Sequence, residues 1–495
     1  MNKIDLLKEL EDSLYHNLLC YSENNSMDKP KEQFVKEWKK TKEKIGIVKE
    51  IRKDVQRNIK ENIWYLVRNE EQDVLGSFCT LNQAIAFAEK KKKEYMRNYD
   101  SSKVWVEIEG DSEEIYVARG YEKEEIKIYH LNIGQPDIET PKKFFEAIEK
   151  YNGKTLGYSH SRGSKELIQK IQEYYNKMGL HYEEDEIVIT AGGSEAVLFS
   201  LFAIFDEGDE ILVAEPYYAN YNSFCDLLSI KRNAVRTYAE DGFHLPHREE
   251  IEKHITKKTK AYIFANPNNP TGVVFTKKEL DDIAYISKKY NMFIISDEVY
   301  REFVYGDREA VSMGTYKDIA ENVIIIDSIS KRFSACGARV GCIISKNKNF
   351  MNAVFRECQA RLSMPTLEMI GAAALYDLPS NYFESAKKEY DNRRKILFEE
   401  LSKMDDVIVR EPEGAFYVLA KLPVKNAEDF AIWLLKDFNI DGETVMFAPG
   451  EGFYATDGLG VDEVRICYSL DAKDLKKAMN ILKEGLIKYR KEVEK

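Results

Sequence analysis

Five short apolar segments, rich in β-branched residues, constrain the fold more than anything else in this chain. They are Glu186–Thr190, Glu210–Ala214, Ala261–Ala265, Met292–Ser296 and Val323–Asp327. None alternates apolar with polar residues, so each reads as a strand buried on both faces. The stretches between them are long enough for helices, and strand–helix alternation of this kind predicts βαβ units and a mostly parallel sheet. Open sheets of that type bind ligands in the crevice beyond the carboxyl ends of their strands. Each of the five segments runs into polar or glycine-rich sequence at that end.

The last of them leads into Ser328-Ile-Ser-Lys331-Arg-Phe-Ser-Ala-Cys-Gly337-Ala-Arg339-Val-Gly341. A lysine projecting into the crevice is partly desolvated, which lowers an amine's pKa and makes it nucleophilic. Ser328 and Arg339 flank it with a hydroxyl and a fixed positive charge, suited to a phosphate. A surface lysine in a serine-containing loop is the alternative for these residues alone.

The other strand ends carry their own chemistry. Gly192-Gly193-Ser194 opens the apolar helix Ala196–Phe205, where glycine backbone N–H groups and the helix terminus attract an anion, although the same turn also serves as a plain cap. Tyr218, in Pro216-Tyr217-Tyr218, offers a ring for stacking, or is simply a core or surface tyrosine in a chain with 30 of them. The two prolines of Asn266-Pro-Asn-Asn269-Pro-Thr-Gly272 stiffen a loop around the amide of Asn269, or simply make a turn. In Ser296-Asp297-Glu298-Val299-Tyr300, Asp297 can pair with a protonated ring nitrogen and Tyr300 can donate to a ring oxygen; capping of the next turn is the other reading of Asp297.

With these residues in view, the chain from about Ile128 onward resembles the class I/II aminotransferases, the aspartate aminotransferase-like branch of fold-type I enzymes dependent on pyridoxal 5'-phosphate (PLP). Five motifs match in order and spacing: Asn132-Ile-Gly134-Gln-Pro136-Asp137, the Gly-Gly-Ser turn, Asn-Pro-Asn-Asn-Pro-Thr-Gly, Ser-Asp-Glu-Val-Tyr, and Ser-x-Ser-Lys-x5-Gly-x-Arg-x-Gly. The resemblance covers roughly three quarters of the chain. It implies an α/β fold with a mostly parallel central sheet in a large domain, a smaller α/β domain, and an additional N-terminal α+β segment.

It also implies roles. Lys331 forms the Schiff base with PLP and moves the substrate proton. Asp297 pairs with the ring nitrogen, Asn269 and Tyr300 with the ring oxygen, and Tyr218 stacks on the ring. Gly192, Gly193, Ser194, Ser328 and Arg339 hold the phosphate, and Tyr158 reaches the phosphate of a neighbouring subunit in a homodimer with shared sites. Arg465 clamps the substrate α-carboxylate, with Gly134 against it. Arg361 is a candidate for a second cation, acting across the dimer on a dicarboxylate such as aspartate or glutamate. Departures include Tyr218 where some members carry tryptophan, and Ser194-Glu195 in place of a more usual residue–glutamine pair. The implied reaction is ping-pong transfer of an amino group between an L-amino acid and a 2-oxo acid. Alternatives are a PLP-dependent β-lyase, decarboxylase or synthase on the same fold, or a ligand-sensing regulatory protein.

At 495 residues the chain exceeds one domain. The expected division is a helical extension over 1–60, an α+β accessory module over 61–125, a PLP-binding large domain over 151–394, and a small domain from 126–150 and 395–495. Helices are expected from Leu6 to Leu18 and from Lys31 to Val55, then strands at Ile63–Val67, Val104–Ile108 and Ile115–Val117 around a helix at Leu81–Tyr95. A net charge of −12 argues against nucleic acid as the main partner. Seven cysteines without a Cys-x-x-Cys pair suggest neither a disulfide framework nor a metal site. With no signal-peptide pattern and no apolar run of spanning length, the expectation is a cytoplasmic protein away from the membrane.

Overall fold

The computed structural model describes residues 65–69, 74–78, 87–88, 90–92, 104–108, 114–117, 126–379 and 381–493. The helices expected before residue 60 lie outside the described residues. The chain divides into two compact units, Met1–Glu124 and Glu125–Lys495. In the first, strands β1 (Tyr65–Asn69), β2 (Val74–Phe78), β3 (Val104–Ile108) and β4 (Glu114–Val117) form an antiparallel sheet in the order β2-β1-β3-β4. Residues 87–88 and 90–92 are helical. Strand β2 was not expected, because Gly76 and Ser77 interrupt its apolar run.

The second unit opens with β5 (Lys127–His130) and is dominated by a seven-stranded sheet. Its strands are β6 (Ile187–Thr190), β7 (Glu210–Glu215), β8 (Lys231–Arg236), β9 (Thr259–Ala265), β10 (Phe293–Asp297), β11 (Val323–Ser328) and β12 (Gly341–Ser345). They lie in the order β6-β12-β11-β10-β9-β7-β8, parallel except for β12, which runs against both neighbours. The five strands read from the sequence are all present. The period of two explains their continuous hydrophobicity: Ile324 and Ile326 of β11 face one core with Val197, Leu201 and Val354, whereas Ile325 faces the other with Leu167, Ile171 and Phe264. Helices 192–204 and 348–361 cover the first face, and helices 165–177, 277–290 and 366–375 the second.

A second lobe has its own core. Strands β13 (Tyr417–Lys421), β14 (Glu443–Met446), β15 (Ala448–Pro449) and β16 (Glu463–Cys467) pack with helices 381–401, 427–437 and 472–492. Strand β14 pairs with β5, so Tyr129 and Leu131 from the start of the unit share this core with Leu434, Ile466 and Leu482. It also takes in Ala386 and Tyr390, ahead of the boundary expected at residue 395, while Phe144 packs into the sheet core. Among the described residues no helix is long and apolar enough to cross a membrane.

Beneath the carboxyl end of β11 lies a buried ionic cluster. Asp327, 1% exposed, accepts hydrogen bonds from Arg332 Nη2 at 2.7 and 2.9 Å, Arg301 Nη2 at 3.0 Å and the Tyr175 hydroxyl at 2.9 Å. Arg301 also pairs with Glu298, which accepts from Ser296, Ser312 and the Met313 backbone. The arginines hold the Asp327 carboxyl below its usual range despite complete burial. The cluster fastens helix 165–177, β10, β11 and the turn bearing Lys331 to one another. Breaking such a pair leaves charge uncompensated in the interior, so Asp327→Asn should lower unfolding free energy by about 3–5 kcal/mol in a urea titration. A loss under about 1 kcal/mol, the range of an exposed ion pair, would contradict this account.

Candidate active site

The loops leaving β6, β7, β9, β10 and β11 meet at a cavity of about 130 Å³. Nine expected site residues line it: Gly193, Ser194, Tyr218, Asn269, Asp297, Tyr300, Ser328, Lys331 and Arg339. Gly192 lies just behind. Its φ of +75° suits glycine, and a Cβ there would come within 2.6 Å of Arg339 Nη2. Arg339 donates to the carbonyls of Cys336 at 3.0 Å and Ala191 at 3.4 Å, which holds its charge beside the start of helix 192–204. Ser328 caps the short helix 329–332, accepting from Ser330 N at 3.1 Å. A helix terminus, two serines and a guanidinium therefore surround one corner, and that donor set suits a phosphate.

Lys331 sits on helix 329–332, and its Nζ donates to the Gly134 carbonyl and lies 3.7 Å from Cys336 Sγ. Across the cavity, Asp297 ends β10 and is 6% exposed. The Tyr221 hydroxyl donates to its Oδ2 at 3.1 Å and Val299 N to its Oδ1 at 3.4 Å. Among the described residues no ion pair reaches it, and burial pushes its carboxyl up to about 7. A ligand with a protonated ring nitrogen would supply the cation this position lacks.

Asn269 is held in a loop where the Thr271 hydroxyl donates to Asn268 Oδ1 at 2.9 Å and Gly272 N to Asn268 O at 3.0 Å. Its Oδ1 accepts from Arg465 Nη1 at 3.1 Å, so its Nδ2 donor is left for the cavity side. Arg465 comes from β16 of the other lobe, donates from Nη2 to the Asn132 carbonyl at 2.6 Å, and lies over the rings of Tyr417 at 4.7 Å and Phe453 at 5.0 Å. Gly134 admits no side chain: a Cβ would fall 1.7 Å from the Tyr417 hydroxyl.

Two expected residues stand apart. Arg361 is not brought to the cavity. Its Nη1 pairs with Glu195 at 2.6 Å and donates to the Ile189 carbonyl, while Nη2 donates to the Ser161 carbonyl at 2.7 Å. Within this chain the guanidinium is engaged as a structural tie; the role expected of it acts across a dimer. Tyr158 is 84% exposed, in an irregular stretch away from the chain's own cavity. Conversely, Tyr221, Tyr417 and Cys336 take part in the site although the sequence did not single them out. Tyr221 lies in the segment quoted for Tyr218, but nothing in its spacing marks it as the partner of Asp297.

Burial of Asp297 has a pH signature. Its carboxyl titrates near 7 when folded but near 3.9 when unfolded, so the folded chain binds that proton more tightly. The stabilisation is complete below about pH 4 and disappears as pH rises through about 7. In calorimetry of cofactor-free protein, Tm should fall more steeply from pH 5 to 8 than in Asp297→Asn. Equal slopes would contradict the burial argument.

Comparison with known proteins agrees with this geometry. Residues 126–482 match the family described as Aminotransferase class I and II. The chain is 31% identical over 365 residues to aspartate aminotransferase of Pyrococcus horikoshii, covering 72% of this chain and 90% of the relative. To aspartate aminotransferase of Bacillus subtilis it is 29% identical over 371 residues, covering 72% and 91%. The solved aromatic aminotransferase from Pyrococcus horikoshii superposes with a TM-score of 0.68 at 30% identity, over 74% of this chain and 96% of that one. From the family match, the relatives and the fold, we conclude that this chain belongs to the class I and II aminotransferases, PLP-dependent enzymes acting on amino acids and 2-oxo acids.

Proposed function

We propose that the enzyme runs two half-reactions through one site, in ping-pong order, with Lys331 carrying PLP through Nζ. The observation that carries this reading is the convergence of three groups from distant parts of the chain: Lys331 after β11, Asp297 at the end of β10 and Arg465 from β16. When bound, PLP supplies an electron sink that stabilises negative charge at the substrate α-carbon. Asp297 would hold the ring nitrogen protonated, and the Asn269 amide and Tyr300 hydroxyl would hold the ring oxygen. Arg465 offers Nη1 and Nη2 to the α-carboxylate in a two-point grip that orients the α-proton toward Lys331. The Lys331 amine, when free, would be the base positioned to take that proton and hold it.

The donor is inferred to be an L-amino acid, with the oxo-acid acceptor using the same carboxylate grip. Relatives are named for aspartate, for aspartate or prephenate, and for aromatic amino acids, and one solved neighbour for alanine. A panel of these is the first screen. We further infer a homodimer, because Tyr158 at 84% and Leu156 at 57% exposure present apolar surface on the stretch expected to meet a second subunit.

The deciding experiment is the visible spectrum of PLP-loaded protein during addition of each amino acid without any oxo acid. Loss of the cofactor band with at least one donor, matched by one equivalent of 2-oxo acid and no ammonia, is expected. A band that persists while ammonia accumulates would overturn transamination in favour of a lyase.

A further inference from the structure

One phenol from the second lobe touches three parts of the site at once. Tyr417 is 2% exposed at the start of β13. Its hydroxyl is 2.8 Å from the Tyr300 hydroxyl, its ring lies against the Arg465 guanidinium at 4.7 Å, and it occupies the space a Gly134 side chain would need. The Gly134 carbonyl in turn receives Lys331 Nζ. Burial raises both phenols, Tyr300 and Tyr417, above the usual tyrosine range, and a hydroxyl–hydroxyl pair has one proton to share and one to spare.

Where the spare proton goes follows from the surroundings. Tyr300 lines the cavity, whereas Tyr417 does not. If Tyr300 donated to Tyr417, the Tyr417 proton would have no acceptor among the described residues. Tyr300 would then present only lone pairs to the cavity. Donation in the opposite sense satisfies both groups: Tyr417 gives its proton to Tyr300, and Tyr300 keeps its own proton for the cavity.

We propose that Tyr417 is a positioning residue for this reaction, one that fixes the Tyr300 hydroxyl as a donor toward the ring oxygen of the cofactor. A donor that is itself accepting a hydrogen bond is polarised and donates more strongly. A strong donor at the ring oxygen favours negative charge there and makes the proton at the Lys331 nitrogen easier to lose. Tyr417 thereby tunes the lysine linkage without touching it. This rests on Lys331 carrying the cofactor.

The test is a pH titration of the visible absorption of PLP-loaded protein, without substrate, for the unaltered chain, Tyr417→Phe, Tyr300→Phe and the double variant. Tyr417→Phe keeps the ring over Arg465 and the packing of β13, and a thermal melt verifies that it folds. We expect its titration midpoint to rise by about half a pH unit or more, with no additional rise when the substitution is made in the Tyr300→Phe background. A midpoint that does not move, or one that moves equally in both backgrounds, overturns the relay. Absence of any titrating band in the unaltered protein would remove the Lys331 assignment and the relay with it.

Discussion

Two aspartates on adjacent parallel strands, in opposite electrostatic states, organise this molecule. Asp327, the penultimate residue of β11, has two arginines and a tyrosine on its oxygens, and its carboxyl is held below the usual range. Asp297 closes β10 next door with a tyrosine and a backbone N–H, and its carboxyl is pushed up to about 7. Both are buried, so burial does not distinguish them; the cations do. Asp327 spends its charge on fastening the turn that carries Lys331. Asp297 leaves an acid without a cation at the cavity wall, the environment in which a protonated ring nitrogen would be favoured. The rigid base and the reactive wall thus use the same residue type one strand apart.

The second lobe completes the site rather than merely flanking it. Arg465 and Tyr417 arrive on β16 and β13, which are paired so that Leu419 opposes Arg465. Their core is closed by β5 from the start of the same unit, whose continuation carries Asn132 and Gly134. This side of the site is therefore assembled from residues far apart in sequence. Any displacement of this lobe moves Arg465, the Lys331 Nζ acceptor and the Tyr300 partner together.

Much of this was legible in the sequence. The five buried strands announced themselves through unbroken β-branched runs, and their polar termini named nine of the residues that line the cavity. Strand β8 was hidden because it is an edge, where Lys231, Arg232 and Asn233 break the apolar pattern. Strand β12 was hidden by starting at Gly341, inside the lysine motif. Tyr417 and Tyr221 were invisible for a different reason: their importance lies in which hydroxyl they meet across the fold, and spacing along one strand or turn does not encode that. The same holds for Arg361, whose position near Pro365 does not reveal Glu195 as its partner within the chain.

The central claim is that Lys331 is the residue through which the cofactor is held. The most direct measurement is chemical reduction of the PLP-loaded protein followed by proteolysis and mass spectrometry of the labelled peptides. The account predicts the reduced pyridoxyl mass on the peptide containing Lys331, at about one per chain. A label confined to another lysine, or no specific label, would contradict it.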